Sequence, residues 1–308
     1  MKVLFAFVLA LQSIAGLAQQ QADTLFQYDV SLPRYPVGKG PLILLDEAHH
    51  NFHTTTGRFR PFVNLLRKDG YRVKANPAVF TSSALQSARI LVIANALNGA
   101  NATSWTLPTP SAFTDDEIRV LLQWVETGGS LFLIADHMPF PGAAEKLAAA
   151  FGFTFYNGFA MRKKGDTSPG GALNRPDIFT PGHGLIEGPI THGTQPNERV
   201  TSVRTFTGQA FRIPAAATPL VVLDDQFEVL LPKTAWQFAT ETTVMAADGL
   251  AQGASLSYGK GRLVVFGEAA MFSAQVQRDS VRMGMNAPDA KQNPQFLLNI
   301  IHWLDAQR

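Results

Sequence analysis

The sequence has no cysteine in its 308 residues. That excludes disulfides, a thiol nucleophile, cysteine-type zinc sites and a lipid anchor on an N-terminal cysteine. It has no excess of either charge: 26 Lys and Arg stand against 24 Asp and Glu, a net charge of +2. With no Lys/Arg-rich run either, it carries no electrostatic footprint for nucleic acid. No run beyond the N-terminal segment reaches the roughly 18 apolar residues that a membrane helix needs. Familiar catalytic signatures are missing as well. No G-x-S-x-G elbow supports a serine hydrolase. No phosphate-binding G-x-x-x-x-G-K-[ST] occurs, because Gly253 to Gly259-Lys260 has the wrong spacing. No G-x-G-x-x-G follows the first apolar run, which argues against a dinucleotide site.

What is present describes a globular chain. Hydrophobic residues make up 46% and charged residues 16%, enough apolar material for a large core. Of the aromatics, 22 are phenylalanine and read as core. Trp105, in the loop before Thr114, is the exception, placed where an indole can stack on a sugar or plug a hydrophobic gap.

Met1 to Ala18 has one lysine, an apolar run Val3–Leu11 and small residues ending Ala15-Gly16-Leu17-Ala18. This is the pattern of a secretory signal, with an uncleaved anchor as the alternative. The expected location is the periplasm or the exterior, with no membrane span once the signal is removed. Residues 19–41 read as a polar lead-in arm, and 42–308 as a single α/β domain.

Within that domain, apolar runs and amphipathic segments alternate. Leu42-Ile43-Leu44-Leu45 reads as a strand buried on both faces. Arg58–Asp69 reads as a helix stopped by Gly70, and Tyr71–Ala75 as a second strand. Ser82–Ala88 has the look of a short helix before the strand Arg89–Leu97. Thr114-Asp115-Asp116-Glu117 is a capping box opening a helix that Gly128-Gly129 ends. Leu131-Phe132-Leu133-Ile134 is a fourth strand, Gly142–Phe151 a helix and Phe153–Phe159 a fifth strand. The alternation predicts a parallel sheet with helices on both faces. The Gly/Pro-rich stretch 162–197 reads as a long loop excursion. Gly259-Lys260-Gly261 marks a C-terminal hairpin, and Asn293-Pro294 starts a last helix, with Asn293 as its cap.

Ligands of open α/β sheets bind beyond the carboxyl ends of the strands. Three such ends carry polar residues here: Asp46-Glu47-Ala48-His49-His50-Asn51-Phe52-His53, Asp136-His137, and Glu268. Carboxylates and imidazoles from several strand ends suit a divalent metal. Asp46, His49, His50, Asp136 and His137 are its candidate ligands, although the H-E-x-x-H zinc motif is absent. Glu47 and Glu268 are the candidate catalytic bases for metal-activated water. His53, Trp105 and His183 are candidate ligand-binding residues, His183 only if its loop reaches over the strand ends. The alternative for every one of them is structural: polar residues after strands also cap helices.

Several segments together resemble one superfamily. They are Leu45-Asp46-Glu47-Ala48-His49, Asp69-Gly70-Tyr71-Arg72-Val73, Trp124-Val125-Glu126-Thr127-Gly128-Gly129-Ser130-Leu131 and the stretch from Gly259 to Gly267, with Asn299 and Trp303. They resemble the class I glutamine amidotransferase-like superfamily, with the DUF4350 group, related to the GIFT domains of gliding and intraflagellar-transport proteins, as the branch most alike. Gly182-His183-Gly184-Leu185-Ile186-Glu187-Gly188 is similar to that branch's His-Pro-Ile…Gly segment, with Gly184 in place of proline. The resemblance spans most of residues 40 to 305 and implies a flavodoxin-like parallel sheet. Amidotransferases use a Cys-His-Glu triad, whose cysteine turn would fall near Asp136-His137, so the absence of cysteine excludes that activity. For the triad-less branch the resemblance implies ligand or carbohydrate binding. Two functions are therefore expected: binding of a small polar ligand, through a metal, with hydrolysis; or a non-catalytic glycan- or protein-binding module of the cell envelope.

Overall fold

In a computed structural model, residues 20–163, 177–277 and 281–306 are described; the signal segment lies outside them. Strands β1 (Leu42–Asp46), β2 (Arg72–Asn76), β3 (Ile90–Ala94) and β4 (Ser130–Ile134) alternate with helices α1 (Arg60–Lys68), α2 (Asp115–Glu126) and α3 (Phe140–Ala150). There follow β5 (Phe159–Arg162), β6 (Thr218–Val222), β7 (Phe227–Leu231), the hairpin β8 (Ala251–Tyr258) and β9 (Gly261–Phe266), and helix α4 (Asn293–Asp305). Strands β2-β1-β3-β4-β9 lie side by side and run parallel.

The period-two pleat explains why these strands are apolar throughout. Ile43, Leu45, Ile90, Val92, Phe132 and Ile134 enter a core with Phe62, Leu66 and the α4 residues Phe296, Leu297 and Ile300. Their neighbours Leu42, Leu44, Leu91, Ile93, Leu131 and Leu133 enter a second core with Leu121, Val125, Ala144 and Leu147. A strand with a core on each side has no polar face to show. Each such side chain contributes about 1.5–3 kcal/mol on burial.

The sheet is not wholly parallel. Among the described residues it has 12 strands and is mixed, because the chain turns back after β8 at Gly259, where φ is +56°, so that β8 pairs antiparallel with β9. Strand β6 then pairs antiparallel with β8. A two-residue turn cannot make the crossover that a parallel neighbour requires. Phe153–Phe159 does not form the fifth parallel strand; β9 does. Asn157-Gly158 breaks that stretch into a short strand Thr154–Phe155, which pairs with Phe211–Arg212, and β5, which joins β7 in a separate sheet. The 162–197 stretch is not one loop. Asp177–Pro181 and Gly184–Leu185 extend the main sheet, and Pro189–His192 is helical; residues 164–176 lie outside those described. Nor does Asn293 cap α4. Its side chain instead accepts from the Arg204 backbone N–H and donates to the Arg204 carbonyl, at 3.0 and 2.8 Å, tying the edge strand Val203–Thr205 to the helix.

The lead-in arm runs from the segment that follows β9 to the amino ends of the strands. Gln21–Ala22 pairs with Ala274–Gln277. Tyr35 packs edge-on to Tyr71 and donates a 2.5 Å bond to Asp305. Asp69, fully buried, accepts from the Arg34 backbone N–H and pairs with His302 at 2.6 Å.

Candidate functional site at the carboxyl ends of the strands

Strand order reverses at β1 and β3, the position where open α/β sheets form a crevice. Asp46 ends β1 fully buried. Its carboxylate accepts from the Ala48 N–H (3.2 Å) and the Asn51 side-chain amide (2.9 Å). The turn this creates brings His49 back, with Nδ1 2.9 Å from Asp46. The other ring nitrogen, Nε2, lies 2.9 Å from Glu117 Oε1. Glu117 is the glutamate of the capping box on α2: its Oε2 accepts from Thr114, and its Oε1 also accepts from the Phe80 N–H at 3.0 Å. Phe80 and Phe113 flank the imidazole at 4.7 and 4.8 Å.

With a carboxylate on each nitrogen, His49 is an imidazolium donating at both ends. Burial pushes its pKa down, but the bonds and charges of Asp46 and Glu117 outweigh this and hold it above the ordinary 6.5. Burial pushes Glu117 up, and its bonds from Thr114, Phe80 and His49 bring it below 4.5. The linkage has opposite signs for the two groups. The contribution of His49 is complete below 6.5 and is lost as pH rises through its raised value. The contribution of Glu117 is complete above 4.5 and is lost as pH falls through its lowered value. We expect urea-unfolding stability to be highest in mildly acidic solution and to decline toward alkaline pH. That alkaline decline should vanish in His49→Gln; a wild-type profile in that variant would reject the assignment.

Asp136 follows β4. Its N–H donates to the Asn95 side chain at 2.9 Å, and its carboxylate accepts from the His137 and Ala269 N–H groups at 2.7 and 3.2 Å. Glu268 follows β9, buried, and accepts from the Ala270 and Met271 N–H groups, both at 2.7 Å. Burial and the neighbouring Asp136 charge push its pKa well above the carboxylate range. Both carboxylates thus hold the turn at Ala269–Met271. Glu47 accepts from the Thr55 N–H at 2.6 Å. His50 is exposed and lies against Gly99. His183 is exposed in the turn between the short strands Asp177–Pro181 and Gly184–Leu185. Among the described residues, no three His, Asp or Glu side chains are placed to hold a metal ion.

The groups left open are aromatic and basic. The segments at Trp105 and Ala235 pair through the Ala235 N–H to Trp105 carbonyl bond (2.9 Å) and the Thr106–Thr234 bridge. This brings both Trp105 and Trp236 against His137, at 5.9 and 4.7 Å between ring centroids. His137 stacks on Phe159 at 4.7 Å and bonds the Met138 carbonyl through Nδ1 at 2.7 Å. Trp236 is 45% exposed and has φ +66°. Trp105 packs on Phe52 (5.4 Å), and the Arg58 guanidinium lies 3.9 Å over the opposite partner of that contact, the Phe52 ring. His53 is 3% exposed, and burial, then the Arg58 and His137 charges, push its pKa down to about 3. Of the ten candidates, the structure joins Asp46 with His49, sets Asp136 beside Glu268, and gathers His53, Trp105 and His137. Glu117, Asn95, Arg58 and Trp236 were missed. Trp236 carries the same signal as Trp105, a lone indole in a polar segment.

No family model matches the chain, and no curated protein matches it. Solved structures are similar to it. The mmIFT52 N-terminal domain is similar with a TM-score of 0.59 at 14% identity, covering 86% of this chain and 97% of that one. A ThuA-like protein from Bacteroides uniformis covers 90% of this chain and 94% of its own, with a TM-score of 0.46 at 11% identity. A second ThuA-like protein, from Parabacteroides merdae, has the same TM-score at 13% identity, covering 87% and 91%. At 14% identity the likeness to the first of these is one of fold alone.

Proposed function

We propose that the chain is an exported, non-catalytic binding module of the class I glutamine amidotransferase-like superfamily, DUF4350 branch, that takes a glycan at the carboxyl ends of its strands. The observation that supports this most directly is the half-exposed Trp236, held against His137, whose ring Trp105 also contacts. Aromatic faces flanked by polar groups suit the apolar face of a pyranose ring. Metal-assisted hydrolysis has less support. Asp46, His49 and Glu268 are occupied by bonds within the fold, and neither ring nitrogen of His49 is free.

A glycan array probed with the protein lacking residues 1–18, followed by calorimetry, tests the reading. Trp236→Ala is expected to weaken binding about tenfold, the loss of one stacked ring, with no change in melting temperature. Binding untouched by Trp236→Ala and Trp105→Ala together would reject it.

A further inference from the structure

Beside the aromatic rim lies a corner that the fold leaves unsatisfied. Arg58 is half-buried, its Nε is sealed from solvent without a hydrogen-bond partner, and it has no ion pair among the described residues. His53 Nδ1 is likewise sealed and unpartnered, and the side chain is only 3% exposed. A buried donor or acceptor left unpaired costs about 1–3 kcal/mol, and an arginine is seldom buried without a counter-charge. The two residues are close enough for the Arg58 charge to bear on His53. Both belong to the segment between β1 and α1, at the strand reversal.

The geometry of Arg58 narrows the ligand. One face of its guanidinium is covered by Phe52 at 3.9 Å, so the free donors lie along its edge. An edge of parallel N–H groups matches a planar carboxylate in bidentate fashion. Phe52 is also the ring against which Trp105 packs, so the corner adjoins the aromatic surface.

We infer that Arg58 and His53 form an anion subsite for the carboxylate of an acidic sugar, a uronic acid unit of the bound glycan. Arg58 supplies the charge and the paired donors. His53, whose ring lies 5.5 Å from the Phe52 ring and 4.5 Å from the Phe59 ring, supplies one neutral imidazole contact. This rests on the glycan reading above and adds its ligand class.

Titration of the protein with methyl glucuronide, methyl glucoside and inorganic phosphate, followed by NMR of the Arg58 Nε–H, the His53 ring and the Trp236 indole N–H, separates the two readings. The glucuronide is expected to shift all three, and the glucoside only Trp236. Arg58→Gln should weaken glucuronide binding tenfold or more and leave the glucoside unchanged. Arg58→Lys, which keeps the charge and loses the fork, should recover only part of that loss. An Arg58 signal unmoved by glucuronide, with Trp236 shifting equally for both sugars, would overturn the subsite and leave the glycan reading standing. Shifts at Arg58 and His53 with none at Trp236 would keep the anion subsite and overturn the sugar platform. Phosphate acting as strongly as glucuronide would overturn the carboxylate assignment.

Discussion

His49→Ala is expected to lower unfolding free energy by about 3–5 kcal/mol, the cost of removing one member of a buried charge set. Asp46 and Glu117 are 0% and 6% exposed. The substitution leaves both carboxylates beside a hole where an imidazolium had satisfied each. The backbone bonds from Ala48 and Phe80 remain, but they carry no compensating charge. His49→Gln can donate to one carboxylate and is expected to lose about half as much. Urea titrations with unchanged m-values measure both. A loss below about 1 kcal/mol would mean that the pair behaves as exposed ion pairs do.

Gly70→Ala is the second large effect. Gly70 ends α1 with φ +93°, and a Cβ there would stand 2.1 Å from the Tyr35 carbonyl oxygen and 2.6 Å from its carbon. Left-handed backbone costs about 1–2 kcal/mol for alanine, and displacing the arm adds ~1–3 kcal/mol. We expect a total of about 3 kcal/mol, with the arm cleaved by protease before the domain unfolds. Gly38→Ala is the control. It has φ +71° and no atom within 4 Å of the added carbon, so it carries the backbone cost alone. Equal losses in the two variants would show that the arm does not press on Gly70.

The strands β1, β3 and β4 were legible because two-sided burial leaves an uninterrupted apolar run, and α2 because its capping box is local. The hairpin turn at Gly259 was also local. The mixed sheet was not, since an eight-residue strand between two turns reads the same whichever neighbour it joins. Residues 177–185 read as loop because their strands are short and hold Gly and Pro, yet each is paired on both sides within the sheet. In the candidate site, the sequence pointed to strand ends and histidines. It did not show that Glu117, 68 residues from His49, closes over it. Nor did it show that His302 on α4 meets Asp69 across the domain. Such pairings depend on tertiary approach, which residue types and spacing do not encode one at a time.

The seam between Gln21 and Val276 joins the first described strand of the chain to its last thirty or so residues. Strand β9 likewise enters the sheet beside β4 only after 126 intervening residues, 135 to 260. A chain that emerges amino end first therefore carries an open edge at β4, and an arm with no partner, until β9 and the segment Ala274–Gln277 have appeared. Closure of the sheet and docking of the arm thus wait on residues 261–277 and not on the speed of any local helix or turn.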